Sequence, residues 1–174
     1  QYGDRSSIAN EMPVTGYPID VAILYCELAG GRLPDWIGDH LKTYRDSGGR
    51  EGHLFDARFA GGGAAVPTLL LTTRGRHSGA LHTMPLIYGE VGREYVIIGS
   101  KGGAPTQPAW YHNLCAEPRV ELQVATDIFA ATARTATGAE RAQLWQHMVA
   151  LYPPFADYQA KTTREIPVVV LSRT

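Results

Sequence analysis

The sequence predicts a mainly β fold with helices, an α+β antiparallel barrel, on three observations. About six strand-like runs crowd into residues 68–171, short turns join most of them as hairpins, and the helical segments fall between hairpins instead of alternating with strands. No GxGxxG opens a helix after a strand, which excludes the Rossmann and P-loop alternatives.

The elements follow in order. Residues 1–33 read as an N-terminal arm: Gln1 to Gly31 shows little periodicity, carries Pro13 and Pro18, and leaves room for one short helix around Ile19 to Leu28. Residues 34–174 read as the barrel domain. Pro34 and Asp35 suit a helix start, and Trp36, Ile37, Leu41 and Tyr44 share one side before Ser47-Gly48-Gly49 ends it. Gly48 to Ala65 reads as a loop. Thr68 to Thr73, Leu81 to Tyr88 and Tyr95 to Ser100 then give three antiparallel strands, with a turn over Gly89 to Arg93. Pro108 to Leu114 resembles a short helix, and Arg119 to Val124 with Ile128 to Ala133 another hairpin. Thr137 and Glu140 have capping-box spacing, opening a helix whose buried face is Ala142, Leu144, Trp145, Met148, Val149 and Tyr152. Pro153-Pro154 stops it, and Ile166 to Leu171 closes the domain as a buried strand.

Composition limits what the chain can do. A formal charge of −1 over 174 residues argues against non-specific nucleic-acid binding, so any anion site must be local. No apolar run reaches the ~20 residues that span a bilayer, and the start does not read as a signal peptide. Cys26 and Cys115 form no CxxC, which fits free thiols in a reducing, cytoplasmic setting. The six histidines show neither HExxH nor a Cys/His pattern, so no metal site is expected, and no GxSxG elbow offers a nucleophile.

Two glycine-framed segments carry the chemistry. Gly75-Arg76-His77-Ser78-Gly79 and Ser100-Lys101-Gly102-Gly103 each follow a strand and set cations and hydroxyls beside backbone amides, which suits an anion such as a phosphate-bearing small molecule. Basic residues in a solvated turn are the plain alternative. Trp110 and Tyr111 beside Asn113 suit a planar ring, or plain core. Tyr152, Phe155 and Tyr158 follow a double proline and either wall a pocket or form a satellite hydrophobic cluster.

Taken together, Leu71 to Gly79, Ser100 to Pro105, Pro108 to Leu114 and Tyr152 to Pro167 resemble the deazaflavin-dependent nitroreductase family, from about Pro34 to the C-terminus. These are split-barrel reductases that use coenzyme F420. The resemblance implies a split antiparallel β-barrel of the flavin mononucleotide-binding kind, holding reduced deazaflavin (F420H2) in a groove. By position, Arg76, His77 and Ser78 would meet the cofactor tail, with His82 near it. Gly99, Ser100, Lys101, Gly102 and Gly103 would meet the phosphate and ring edge. Met84 and Pro85 would lie under the chromophore, and Ala109, Trp110, Tyr111 and Asn113 would complete the cradle. Tyr152, Phe155 and Tyr158 would face the substrate, with Tyr158, Ser100 and Tyr152 as the catalytic candidates.

Three positions depart from the family pattern. His77 stands where lysine or arginine is common and His82 where arginine is common, which implies tail binding that is weaker or sensitive to pH. Phe155 replaces a frequent tyrosine, and with it one hydroxyl. The expected reaction is hydride transfer to an activated C=C (an enone) or a quinone-like small molecule. The alternatives are a flavin mononucleotide (FMN) oxidoreductase on the same barrel and a non-catalytic deazaflavin carrier or sensor. Split barrels often pair, so a homodimer is expected.

Overall fold

The computed structural model describes residues 35–58 and 61–174. The expected arm over residues 1–33, with its short helix, lies outside them. The described elements are α1 (Asp35–Asp46), β1 (Leu54–Phe55), β2 (Val66–Arg74), β3 (Leu81–Val91), β4 (Glu94–Ile98), a 3-10 turn (Lys101–Gly103), α2 (Ala109–Ala116), β5 (Arg119–Val124), β6 (Asp127–Thr135), α3 (Gly138–Leu151), α4 (Pro154–Ala160) and β7 (Val168–Arg173).

Strands β2-β3-β4-β7-β6-β5 form an antiparallel sheet that closes on itself through β5 and β2. Closure gives every barrel strand a neighbour on each side, though over different stretches: β3 pairs with β2 through residues 81–87 and with β4 through residues 88–91. β2 is the junction: residues 68–74 pair with β3, but only residues 69–72 pair with β5. Leu69, Leu71, Leu86, Leu122, Val168 and Val170 are among the residues that fill the core, each no more than 2 % exposed.

α1 docks outside the main core through Ile37 and Tyr44, both fully buried. The Tyr44 hydroxyl donates to the Thr68 carbonyl at 2.9 Å and accepts the Ala125 N–H at 2.8 Å, tying the helix to the start of β2 and the β5–β6 turn. β1, inside the expected loop, pairs Leu54 and Phe55 with Pro67 and Val66.

Four expectations need correction. The β3–β4 turn is shorter than Gly89 to Arg93, because Gly89 pairs with Val96 and the strand runs to Val91. The glycine is there for space: a Cβ on it would sit 2.7 Å from Met148 Sδ of α3. The capping box does not close, since Thr137 makes no side-chain cap bond and Arg134 takes the Glu140 carboxylate at 2.7 and 2.8 Å. Ala142 is exposed, so the buried face of α3 centres on Leu144 and Met148. Finally, the double proline ends α3 but starts α4, where Pro154 costs nothing because a first-turn N–H has no helical partner anyway.

No described helix is long and apolar enough to cross a membrane.

Candidate active site

The first glycine-framed turn joins β2 to β3 and is held by its own backbone. The Gly75 N–H donates to the Ala80 carbonyl at 2.7 Å, and the Gly79 N–H to the Gly75 carbonyl at 2.8 Å. Arg76, His77, Ser78 and His82 are all exposed. Ser78 Oγ accepts the Ala80 N–H at 3.1 Å. A Cβ on Gly75 would lie 2.7 Å from Ser78 Oγ and 2.9 Å from His82 Nε2, so glycine lets both side chains fold over the turn.

The second turn follows β4 and is enclosed. Ser100 is fully buried and Lys101 is 1 % exposed, two polar side chains inside the protein at the end of one strand. Lys101, Gly102 and Gly103 all take positive φ, of 47°, 61° and 82°. A left-handed lysine costs ~1–2 kcal/mol and persists only where its surroundings hold it. The holder is Arg164. Its guanidinium donates to the carbonyls of Gly99 (3.2 Å), Ser100 (2.8 Å) and Ala104 (2.8 Å) and to Gln107 Oε1 (2.7 Å). Lys101 Nζ donates to Thr106 Oγ1 at 2.8 Å. Burial, and then the Arg164 charge, push the Lys101 ammonium below its ordinary pKa of 10.5.

Helix α2 follows the second turn in the chain and docks on the first. Asn113, 5 % exposed, accepts the Arg76 backbone N–H at 3.2 Å and an Arg76 guanidinium N–H at 3.3 Å, and it donates to Thr73 Oγ1 at 3.2 Å. One helical turn earlier Trp110 is 4 % exposed, edge-on to Tyr111 at 6.2 Å, and Tyr111 reaches Thr135 Oγ1 through its hydroxyl at 3.0 Å. Ala109 is exposed at the start of the helix.

Helix α4 packs on the second turn so closely that a Cβ on Gly103 would lie 2.6 Å from the Tyr158 carbonyl oxygen. Tyr152, Phe155 and Tyr158 are at most 5 % exposed and belong to the main core rather than to a satellite cluster. Their rings meet at 4.9 to 6.4 Å, and the Tyr152 and Tyr158 hydroxyls lie 3.2 Å apart. Met84 and Pro85 pair with Leu71 and Leu70, so their side chains point to opposite faces of β3 and no flat ring can rest on both.

Arg164 and its acceptor Gln107 are the members that sequence reasoning missed. Arginine four residues before a strand carries no local signal, and its acceptors lie 57 to 65 residues away along the chain.

Ser100 Oγ and Trp110 Nε1 are buried with no hydrogen-bond partner, an arrangement that costs ~1–3 kcal/mol per group unless something completes it. A hydroxyl, an indole N–H, an ammonium and exposed cations form a donor-rich set. It fits a cofactor with carbonyl-edged rings, a phosphate and carboxylates. Among the described residues no cluster could hold a metal ion.

A closed six-stranded antiparallel barrel with this enclosed turn defines a split-barrel oxidoreductase. The family model of the F420H(2)-dependent quinone reductases matches residues 36–173, and the chain belongs to that family. An F420H(2)-dependent quinone reductase of Mycobacterium tuberculosis is 41% identical over 137 residues, 77% of this chain and 87% of that protein. Among solved structures, an F420-H2 dependent reductase, FDR-A, is 41% identical with a TM-score of 0.57, covering 61% of this chain and 94% of its own. A domain-swapped dimer is 36% identical with a TM-score of 0.60, covering 79% of this chain and 98% of its own. This chain is therefore an F420-dependent oxidoreductase that uses the reduced cofactor, which answers the carrier alternative and leaves the FMN alternative without support.

Proposed function

We propose that the chain reduces a small planar acceptor whose carbonyl is conjugated to the reacting carbon, a quinone first and an enone second. The observation that carries this reading is the pair of partnerless buried donors, Ser100 Oγ next to buried Lys101 and Trp110 Nε1 in α2. The names of the relatives favour the quinone.

In this reading Arg76, His77, Ser78 and His82 hold the cofactor tail at the exposed turn. Gly99 to Gly103 hold the phosphate and ring edge, with Ala109, Trp110 and Tyr111 along the ring. Met84 or Pro85 meets the ring, not both. Asn113 positions Arg76, because its amide is already engaged by Arg76 and Thr73. Bound in its reduced form, the deazaflavin supplies a hydride.

The protein's task is then the acceptor oxygen. As a carbon of the acceptor gains the hydride, negative charge builds on that oxygen, and fixed donors there lower the barrier. The Ser100 hydroxyl donates a hydrogen bond to it. The Tyr158 hydroxyl gives it a proton. An enone then leaves as the enol of the saturated ketone, and a quinone as a keto tautomer whose ring C–H proton shifts to the second oxygen to give the hydroquinone. Tyr152, within 3.2 Å of Tyr158, returns the proton and takes its replacement from water. Phe155 offers no hydroxyl, so it excludes water instead. A homodimer is supported by the relative described as a domain-swapped dimer.

The test is oxidation of reduced cofactor, followed by absorbance, with a naphthoquinone and with a cyclic enone. Tyr158→Phe is expected to lower kcat by about a hundredfold while leaving cofactor Kd within about twofold. Unchanged kcat with both acceptors would remove Tyr158 from the chemistry.

A further inference from the structure

We infer that Arg164 is the positioning residue of the cofactor turn: it holds the Gly99–Ala104 backbone in its left-handed course, so that Ser100, Lys101 and the turn amides are set for the anion before it arrives. This rests on the reading that the turn after β4 holds the cofactor.

Geometry carries the argument. The stretch between β4 and α2 has few backbone bonds of its own, Gly103 N–H to the Ser100 carbonyl at 2.9 Å and Ala104 N–H to the Lys101 carbonyl at 3.0 Å. Three successive residues there have positive φ, one of them a lysine. Against that cost stand four bonds from one planar guanidinium to Gly99, Ser100, Ala104 and Gln107. They span the stretch from its first residue almost to α2. A lysine has no fork to match so many acceptors at once. The Ser100 carbonyl is held from two sides, by Gly103 and by Arg164, which fixes the residue whose hydroxyl is buried without a partner.

Arg164 also acts through its charge. The element packed on the turn and the segment after it carry Asp157, Tyr158, Lys161, Arg164 and Glu165 as titratable groups. Of these, the Arg164 charge is the one that lowers the Lys101 pKa, after burial. Raising pH removes the Lys101 charge, so affinity for an anionic cofactor weakens on the alkaline side, starting below the ordinary lysine value of 10.5.

The experiment titrates oxidised F420 into the protein by fluorescence between about pH 6 and 10 for wild type, Arg164→Lys, Arg164→Met and Lys101→Met. Arg164→Lys keeps the charge and loses the fork: Kd rises about tenfold and the alkaline break stays in place. Arg164→Met loses both: Kd rises about a hundredfold and the break moves up toward the ordinary lysine value. Amide hydrogen exchange over residues 99–107 of cofactor-free Arg164→Lys rises above wild type, a readout that survives if Arg164→Met does not fold. A role confined to general stability would lower the melting temperature without shifting the pH break, and would overturn the inference. Should Lys101→Met weaken binding while both Arg164 variants match wild type, the inference fails alone. If Lys101→Met also leaves Kd unchanged, the reading of the turn as the cofactor site fails with it.

Discussion

The turns after β2 and after β4 each set a cation and a serine between glycines, yet Arg76 and Ser78 stand in solvent while Lys101 and Ser100 are enclosed. The first is closed mainly by its own backbone, with the Arg74 guanidinium donating to the Gly79 carbonyl at 2.8 Å and Asn113 tethering Arg76. Arg164, Thr106 and α4 hold the second. Two charges of one sign therefore do different work. In the proposed reading the exposed turn attracts a charged tail through water, where salt screens the field within ~10 Å at 0.1 M. The enclosed turn acts at low effective dielectric, where each bond to an ion is stronger and misplacement costs more.

The largest contrast is in stability. Gly103 has φ 82° and no room for a Cβ, which would meet the Tyr158 carbonyl oxygen at 2.6 Å and Lys161 Cβ at 3.0 Å. Gly79 has φ 71° but open space around it. Gly103→Ala is expected to cost about 2–4 kcal/mol, from strain plus displacement of α4, and Gly79→Ala about 1 kcal/mol, from strain alone. Urea unfolding of both variants checks this. Equal losses would mean that α4 yields freely, and the enclosed turn would not be rigid.

Next comes salt. Arg76→Ala removes an exposed cation and one bond of 3.3 Å to Asn113, while the Arg76 backbone N–H keeps its own bond to the same oxygen. Cofactor Kd is expected to rise about three- to fivefold in low salt, with the difference from wild type mostly gone at about 0.5 M. The Lys101→Met penalty, arising inside the protein, should persist there. A salt-insensitive Arg76 effect would place that side chain in direct, desolvated contact and erase the contrast.

How much of this was legible depended on where the partners lie. The barrel strands were readable because their apolar runs and short turns are local, and the expected Thr68 to Thr73 became Val66–Arg74. Both turns were visible as glycine, charge and hydroxyl at fixed spacing. Their difference was not, since Ser100 and Ser78 have similar neighbours in sequence and only α4 and Arg164, from 55 or more residues away, bury one of them. Gly89 misled for the same reason: a glycine beside a charge resembles a turn, and only the approach of Met148 shows that it keeps a strand flat against α3. The capping box failed by competition, as Arg134 offered Glu140 a paired, charge-assisted partner that a backbone N–H cannot match.

The smallest effect concerns His82, one of the two histidines that the sequence resemblance sets against a basic family pattern. It pairs with Thr73 at the rim of β3, exposed, with Nε2 close over Gly75. His82→Arg adds a permanent charge on a longer stem that can clear the turn into water. At an exposed site such a charge is worth ~0.2–1 kcal/mol, so cofactor Kd should fall about two- to threefold in low salt and return to wild type in high salt, with the melting temperature unchanged. A gain that resists salt would mean that the cofactor tail seals this turn from solvent when it binds. The exposed turn would then work as the enclosed one does, and the distinction between them would hold only for the free protein.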